Sequence, residues 1–267
     1  MSERTVLLII DPQNDFCDLP GAALPVTGAN ADLGRLAALI DRAGRGFDAI
    51  HVSLDSHHPV DIAHPRWWVN AAGESPAPFT QILPDNVRSG VWRARDPTRQ
   101  AHSMSYLNAL AVGDRYRLVV WPEHCLIGSW GHGIHDAVKR ALDAWARAEM
   151  KTVDYVFKGR NPGTEHYSAL CAEVPDPADP DSGLNRTLVD ALAGADTVLI
   201  AGEALSHCVA SSVRDLAAEL PAGPLDKLVL LTDCSSPVPG FETLGAAFVD
   251  DLRGRGMRLC RSTEWRA

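Results

Sequence analysis

Six side chains of the sequence stand where apolar runs stop, and their types suit covalent chemistry. Cys208 closes the segment Gly202-Glu-Ala-Leu-Ser-His-Cys208, which follows the run Thr197 to Ala201. A helix is expected to open at Cys208, and a thiol at a helix N-terminus gains thiolate character from the helix dipole. Gly202 permits an unusual turn, whose backbone N–H groups can face a developing oxyanion. Asp11 ends the run Val6 to Ile10, where a carboxylate is costly without a partner. Lys158 ends the run Val153 to Phe157 and is poorly solvated unless it faces a carboxylate or a substrate. Asp55 and His57 lie two apart after Ala49 to Leu54, so in extended backbone they point to one side, as a divalent metal requires. His124, in Pro122-Glu-His-Cys125, is a third candidate ligand, with His58 and His64 nearby as helpers or decoys. Taken singly, each has an ordinary alternative: a turn aspartate, a surface lysine, a loop histidine, a buried apolar cysteine. Together they supply a base, a charge stabiliser, a nucleophile and a Lewis-acid site, the makeup of an amide hydrolase.

Positioning these groups is the task of the elements between them. Continuous apolar runs predict strands over Val6–Ile10, Ala49–Leu54, Val153–Phe157, Thr197–Ala201, Lys227–Thr232 and Met257–Cys260, with Leu118–Trp121 short or merely extended. Amphipathic spacing predicts helices over Ala31–Arg42, Ile134–Met150, Cys208–Leu220 and Phe241–Arg253. Alternating strands and helices imply an α/β fold: three αβα layers around a mostly parallel, doubly wound sheet. Such sheets carry their sites at the carboxyl ends of the strands, where all six residues fall. One domain over residues 1–267 is expected. Two stretches, His58–Arg117 and Arg160–Asn185, read as long irregular segments. Segments of that length in a compact domain commonly act as lids or contact surfaces.

The order Asp11-Pro-Gln-Asn-Asp-Phe16, Asp55-x-His57, Trp121-Pro-Glu-His-Cys125, Phe157-Lys158-Gly159 and Gly202-Glu-Ala-Leu-Ser-His-Cys208 resembles the nicotinamidases, within the isochorismatase-like cysteine hydrolases. The resemblance spans nearly the whole chain. It implies an isochorismatase-like, Rossmann-like fold and a catalytic triad of Cys208 as nucleophile, Asp11 as proton-transfer residue and Lys158. It further implies Asp55, His57 and His124 as ligands of a divalent ion, zinc before iron or manganese. A cis Glu203–Ala204 peptide would place the Ala204 and Cys208 amides as the oxyanion hole, and Phe16, Trp121 and Tyr167 would line the substrate pocket. The implied reaction converts nicotinamide and water to nicotinic acid and ammonia through a thioester. The sequence departs from the pattern in three places, the first being Ser56, where an aromatic residue often sits between Asp and His. A further histidine expected soon after Asp-x-His is matched only by Asp61 or, displaced, by His64, which leaves the fourth ligand open. The insert at about 58–117 is long and carries Trp67, Trp68, Phe79, Trp92 and Tyr106. The insert keeps open a second reading, the same triad acting on a maleamate-like, carbamoyl or aromatic amide. A third reading is a non-catalytic binding or scaffold member, against which all three triad positions are filled.

Composition narrows the partners. Net charge is −9, from 25 basic and 34 acidic residues with no basic run, which argues against nucleic acid and anionic membranes. No apolar run has the length of a membrane span, and Glu3 and Asp11 interrupt any signal-peptide pattern, so a cytoplasmic protein is expected. The six cysteines form no C-x-x-C pair and should be thiols there. A small-molecule amide is the expected partner. The family's habit and the long loops suggest a homo-oligomer.

Overall fold

The computed structural model describes residues 3–113 and 115–266. In chain order its elements are β1 (Thr5–Ile10), α1 (Ala29–Ala43), β2 (Ala49–Asp55), β3 (Trp68–Val69), β4 (Gln81–Ile82), α2 (Pro84–Arg88), β5 (Arg93–Ala94), α3 (Gln100–Gly113), β6 (Leu118–Val119), α4 (Asp136–Glu149), β7 (Asp154–Lys158), α5 (Arg186–Ala193), β8 (Thr197–Gly202), α6 (Ala210–Glu219), β9 (Leu228–Leu231), α7 (Glu242–Gly254) and β10 (Arg258–Cys260). Six of the strands form one sheet in the order β10-β9-β8-β1-β2-β7, and every neighbouring pair is parallel. This is the α/β three-layer fold expected from the alternation of apolar runs.

β1 lies at the centre because both of its faces are apolar. Val6, Leu8 and Ile10 join one core with side chains of α5, α6 and α7, and Leu7 and Ile9 join a second with α1 and α4. Residues two apart in a strand share a face, so a five-residue apolar run feeds both layers at once. From β1 the sheet grows outward to β2 and β7 on one side and to β8, β9 and β10 on the other. The reversal falls between β1 and β8, and a crevice opens at such a point beyond the strands' carboxyl ends.

The insert differs from the irregular segment expected. Between 58 and 117 it holds α2, α3, the small antiparallel pairing of β3 with β5, and β4, which pairs antiparallel with β6 just beyond the span. Its Trp67, Trp68, Tyr106 and Leu107 belong to the core that contains Val6 and Leu8. The Trp68 indole N–H donates to the Ile62 carbonyl at 2.7 Å and that of Trp67 to Ser103 Oγ at 2.9 Å, so both large rings are buried without an unpaired donor. Leu118–Val119 pairs with Gln81–Ile82 and stands outside the main sheet. α5 also went unforeseen, although Asn185 is a sequence signal for it: its side chain accepts the Leu188 N–H at 3.1 Å and caps the helix. Among the described residues no helix is long and apolar enough to cross a membrane.

Candidate active site

The crevice between β1 and β8 gathers Asp11, Lys158 and Cys208, each at the end of a different strand. Asp11 is the residue after β1 and has a left-handed backbone, with φ 44°. Its N–H donates to Ser53 Oγ at 3.1 Å, and that hydroxyl donates back to Asp11 Oδ1 at 2.6 Å. Oδ2 is left for Lys158 Nζ, 2.9 Å away. Lys158 ends β7, directly across from Asp55 in the β2–β7 register. Its ammonium also reaches Asp55 Oδ1 at 3.0 Å, donates to the His166 carbonyl at 2.9 Å and lies 3.7 Å from Cys208 Sγ. The lysine is thus buried with two carboxylates and a carbonyl around it, the only way such a group is retained without water.

The end of β8 is shaped by Gly202. Its φ is 110°, and a side chain there would run into the Ile10 backbone. The close approach lets the Glu203 N–H donate to the Ile10 carbonyl at 2.8 Å. The Glu203–Ala204 peptide is cis, as the resemblance implied. Cys208 does not open a helix. It lies within a five-residue π-helical turn, Leu205–Val209, that runs into α6. The N–H groups of His207 and Val209 both donate to the Ala204 carbonyl at 3.1 Å, which fixes the turn around the thiol.

Electrostatics make Cys208 a thiol at rest. Burial pushes its pKa well up, Asp11 and Asp55 add to that, and Lys158 opposes it. A helix start favours a thiolate, but burial outweighs that effect. Burial also raises Asp11, with Asp55 assisting against the lowering pull of Lys158 and Ser53. Burial alone would lower Lys158, yet Asp11 and Asp55 hold it well above its usual value, so it stays charged. The three groups therefore form a buried unit whose proton can move between Cys208 and Asp11 beside a fixed positive charge.

Asp55 joins this unit to the histidines. Its Oδ2 is 3.0 Å from His57 Nε2 and 3.3 Å from His124 Nε2. The structure also brings in His64, whose Nε2 is 3.4 Å from His124 Nδ1. His57, His64 and His124 each offer a nitrogen within 4.8 Å of the others, all buried. Asp61 stands behind the cluster and contacts His57 Nδ1 at 3.1 Å. The two residues left open in the sequence thus take different places: His64 among the ring nitrogens and Asp61 as a carboxylate orienting His57. The donor set fits a divalent ion. Burial would keep His57 neutral, but Asp55 and Asp61 drive its pKa well up, so the site draws a positive charge to that spot. His64 is pushed down to about 2 by burial and by the other two histidines, and is a neutral nitrogen donor.

Phe16, Trp121 and Tyr167 form the wall beside these groups. Phe16 meets His124 edge-on at 5.5 Å, and the Trp121 indole N–H donates to Tyr167 Oη at 3.0 Å. His207 and Phe241 complete this wall, at 5.2 Å and 5.8 Å from Trp121. The insert adds Phe79, half exposed and edge-on to Trp121 at 5.9 Å.

Three positioning residues carried no recognised role in the sequence. Gln13 clamps β2, donating to the Asp55 carbonyl at 2.8 Å and accepting the Asp55 N–H at 2.7 Å. Asp15 accepts the Cys125 N–H at 2.7 Å and so holds the His124 loop. Gln13 and Asp15 lie in the quoted Asp-Pro-Gln-Asn-Asp segment, and their backbone partners could not be read from spacing. Ser53, the orienter of Asp11, sits inside an apolar strand, and a polar residue there is the one signal that marked it.

Glu203 has a further consequence. It is fully buried under the cis peptide, where its Oε2 accepts the Ser236 N–H at 3.1 Å, and Ser236 Oγ donates to Asp32 at 2.5 Å. Burial, then the nearby Asp32, raises the Glu203 pKa well above the usual carboxylate range. A carboxyl raised in the folded state stabilises the fold most below its unfolded pKa, and that contribution is lost as pH climbs through the folded value. Glu203→Gln, which mimics the protonated acid, is therefore expected to gain on the parent protein in urea midpoint between about pH 5 and about pH 8. A constant difference across that range would show that Glu203 is ionised in the fold.

No protein-family model matches the chain, and no curated protein matches it by sequence. Solved structures do. A nicotinamidase/pyrazinamidase of Acinetobacter baumanii superposes with TM-score 0.66 at 20% identity, covering 98% of each chain. A pyrazinamidase of Pyrococcus horikoshii, solved in complex with zinc, gives 0.56 at 16% identity over 97% of this chain and 99% of that one. An isochorismatase family protein of Desulfovibrio vulgaris gives 0.53 at 18% identity over 98% and 96%. The chain has the isochorismatase-like fold that nicotinamidases share, over essentially its full length.

Proposed function

We propose that this protein is a metal-assisted cysteine amidohydrolase of the nicotinamidase type, with Cys208, Asp11 and Lys158 as its catalytic residues. The observation that carries the reading is the contact of one buried ammonium with both a carboxylate and a thiol: Lys158 Nζ at 2.9 Å from Asp11 and 3.7 Å from Cys208. A structural ion pair needs no thiol, and a core cysteine needs no ammonium. The fold's likeness to nicotinamidases and pyrazinamidases supports the amide as substrate.

In this scheme Asp11 takes the Cys208 proton as sulfur bonds to the amide carbon, and the charge that leaves the carbonyl bond collects on oxygen. The Ala204 and Cys208 amides receive that oxyanion. Lys158 keeps its charge throughout and lowers the cost of negative charge on sulfur. Asp11 then returns the proton to the departing nitrogen, the carbon–nitrogen bond breaks and ammonia leaves a thioester. Asp11 next takes a proton from water as its oxygen adds to the thioester carbon. The acid leaves and the thiol is restored, so one water is consumed per ammonia released. Trp121, Tyr167 and Phe16 sandwich a flat ring and hold its carboxamide in line with sulfur. Asp55, His57, His64 and His124 would hold a divalent ion of the zinc class, which when bound supplies a Lewis acid for anchoring a ring nitrogen or a water.

Purified protein should release ammonia from nicotinamide and carry about one divalent ion per chain by elemental analysis. His64→Ala is expected to weaken ion affinity by about 10–100-fold, with activity following ion content in a titration. Full ion content and unaltered affinity in that variant would remove His64 from the ligand set. Ammonia release from none of a panel of small amides would overturn the reading as a whole.

A further inference from the structure

Lys158 is held by three acceptors, and one of them carries no charge. An ammonium has three N–H donors. Here they face Asp11 at 2.9 Å, Asp55 at 3.0 Å and the His166 carbonyl at 2.9 Å. The two carboxylates stand at the ends of β1 and β2, where the sheet fixes them. The carbonyl belongs to the loop that follows β7, residues 159–166, which holds no strand or helix of its own. Whatever holds that loop therefore sets how the ammonium stands toward Cys208 Sγ, 3.7 Å away.

The insert holds it. α3 carries His102 and Tyr106 one turn apart on the same face, their rings stacked at 6.5 Å. His102 Nε2 donates to the Gly163 carbonyl at 2.6 Å, and Tyr106 Oη accepts the Glu165 N–H at 3.1 Å. Ahead of α3, the Ile62 N–H donates to the Pro162 carbonyl at 2.9 Å. Within the loop, Glu165 Oε1 accepts the His166 N–H at 3.0 Å, and His166 Nδ1 accepts the Gly159 N–H at 3.3 Å. Tyr106, Glu165 and His166 are all buried, so water does not replace a contact that is lost. A continuous path thus runs from Tyr106 Oη through the Glu165 amide and carboxyl to the His166 peptide, and from its carbonyl to Lys158 Nζ.

We infer that α3 of the insert positions the catalytic lysine, with Tyr106 as the positioning residue that acts through Glu165 and His166. The inference rests on the amidohydrolase reading and gives the insert a part in the reaction. Without Tyr106 Oη the Glu165 N–H is buried unpaired, and the loop relieves it by moving. The His166 carbonyl moves with the loop, and the ammonium is then held by its two carboxylates alone. The negative charge that forms on sulfur loses a cation at fixed distance. Phe16 and Trp121 are untouched, and Tyr167 is tied to the Trp121 indole, so the loss falls on turnover and not on binding.

Tyr106→Phe keeps the ring and removes only the acceptor. Its kcat for nicotinamide is expected to fall roughly tenfold, with KM changed less than about twofold. Ser103→Ala is the matching control. It lies on the same helix, its Oγ accepts the buried Trp67 N–H at 2.9 Å, and it makes no hydrogen bond to the 159–166 loop. It should lose stability in urea as Tyr106→Phe does and keep the parent kcat. Glu165→Leu should match the Tyr106→Phe loss, and Glu165→Gln, which keeps an acceptor for the His166 N–H, should recover most of it. Alkylation of Cys208 by iodoacetamide at neutral pH, followed by mass spectrometry, reads the lysine's position without any substrate. It should slow roughly tenfold in Tyr106→Phe, as a thiol pKa raised by about one unit gives, and not in Ser103→Ala. Values of kcat and alkylation rate that match the parent in both variants, or that fall equally in both, would overturn the inference and leave the amidohydrolase reading standing. No ammonia from nicotinamide or any other small amide, with the alkylation contrast present, would overturn that reading and leave the clamp on Lys158.

Discussion

Replacing Cys208 by alanine is expected to lower ammonia release from nicotinamide by at least about 10⁴-fold, with the fold intact. The size follows from the role. Without sulfur the route through a thioester is closed, and what remains is whatever the oxyanion turn and bound water can do alone. The side chain is buried with its sulfur beside the Lys158–Asp11 pair, which stays matched when the sulfur is removed, so the change strips one atom and leaves no unpaired charge. Mass spectrometry supplies a second reading. The parent protein, quenched in acid during turnover, should carry the acyl group, and the alanine variant should not. Cys125→Ala is the needed control, since Cys125 is equally buried and adjoins His124. Burial, with Asp55 and Asp15 nearby, pushes the Cys125 thiol well up, and it has no ammonium in hydrogen-bonding reach among the described residues. An acyl group found on Cys125, or a Cys208→Ala protein with undiminished turnover, would end the case for Cys208 as nucleophile.

The parts of the site legible in sequence were those set by strand ends. Asp11, Asp55 and Lys158 are legible because an apolar run that feeds both layers must stop where the sheet stops, and the next polar residue is then forced to the crevice; Cys208 lies further on, in the turn that follows Gly202 at the end of β8. The helices on the main sheet were legible for a related reason, since Leu33, Leu36, Leu39 and Ile40 of α1 fall on one stripe. What stayed open or hidden was whatever depends on a partner distant in sequence, including the choice between His64 and Asp61 as a further ligand. His64 sits seven residues beyond His57 in a segment with no readable period, and only the turn through Asp61, which accepts the Ala63 N–H at 2.9 Å, folds it back beside His124. α3 was missed because its inward residues, Ser103, Tyr106, Leu107 and Leu110, are a mixed polar and aromatic set. Its packing is set by Tyr106 Oη, which accepts the Glu165 N–H at 3.1 Å, a contact across 59 positions. The thiolate expected at Cys208 failed for a different reason. Burial of the thiol costs the charged form more than the dipole at a helix start can return.

The largest stability effect should come from Lys158→Met. Methionine nearly fills the volume but leaves Asp11 without a cation, while Asp55 keeps His57 at its other oxygen. Both carboxylates are buried, at 2.9 Å and 3.0 Å from the lost ammonium. Removing one partner from a buried ionic cluster costs about 3–5 kcal/mol, because the charge left behind has neither water nor a counter-ion. The pH dependence gives the test its specificity. Asp11 is already raised by burial, with Asp55 adding to it, and losing Lys158 removes the main group pulling it down. Its protonated form is then the one the fold accepts. Stability of the variant should be greatest in acid and should fall as pH rises through that raised folded value. Urea unfolding at about pH 5 and about pH 8 should therefore show the Lys158→Met deficit widening with pH. Adding Asp11→Asn, which removes the stranded charge, should return much of the lost stability without returning activity. A deficit independent of pH, with no rescue in the double variant, would mean that Lys158 is held by packing and does not balance the charge of Asp11.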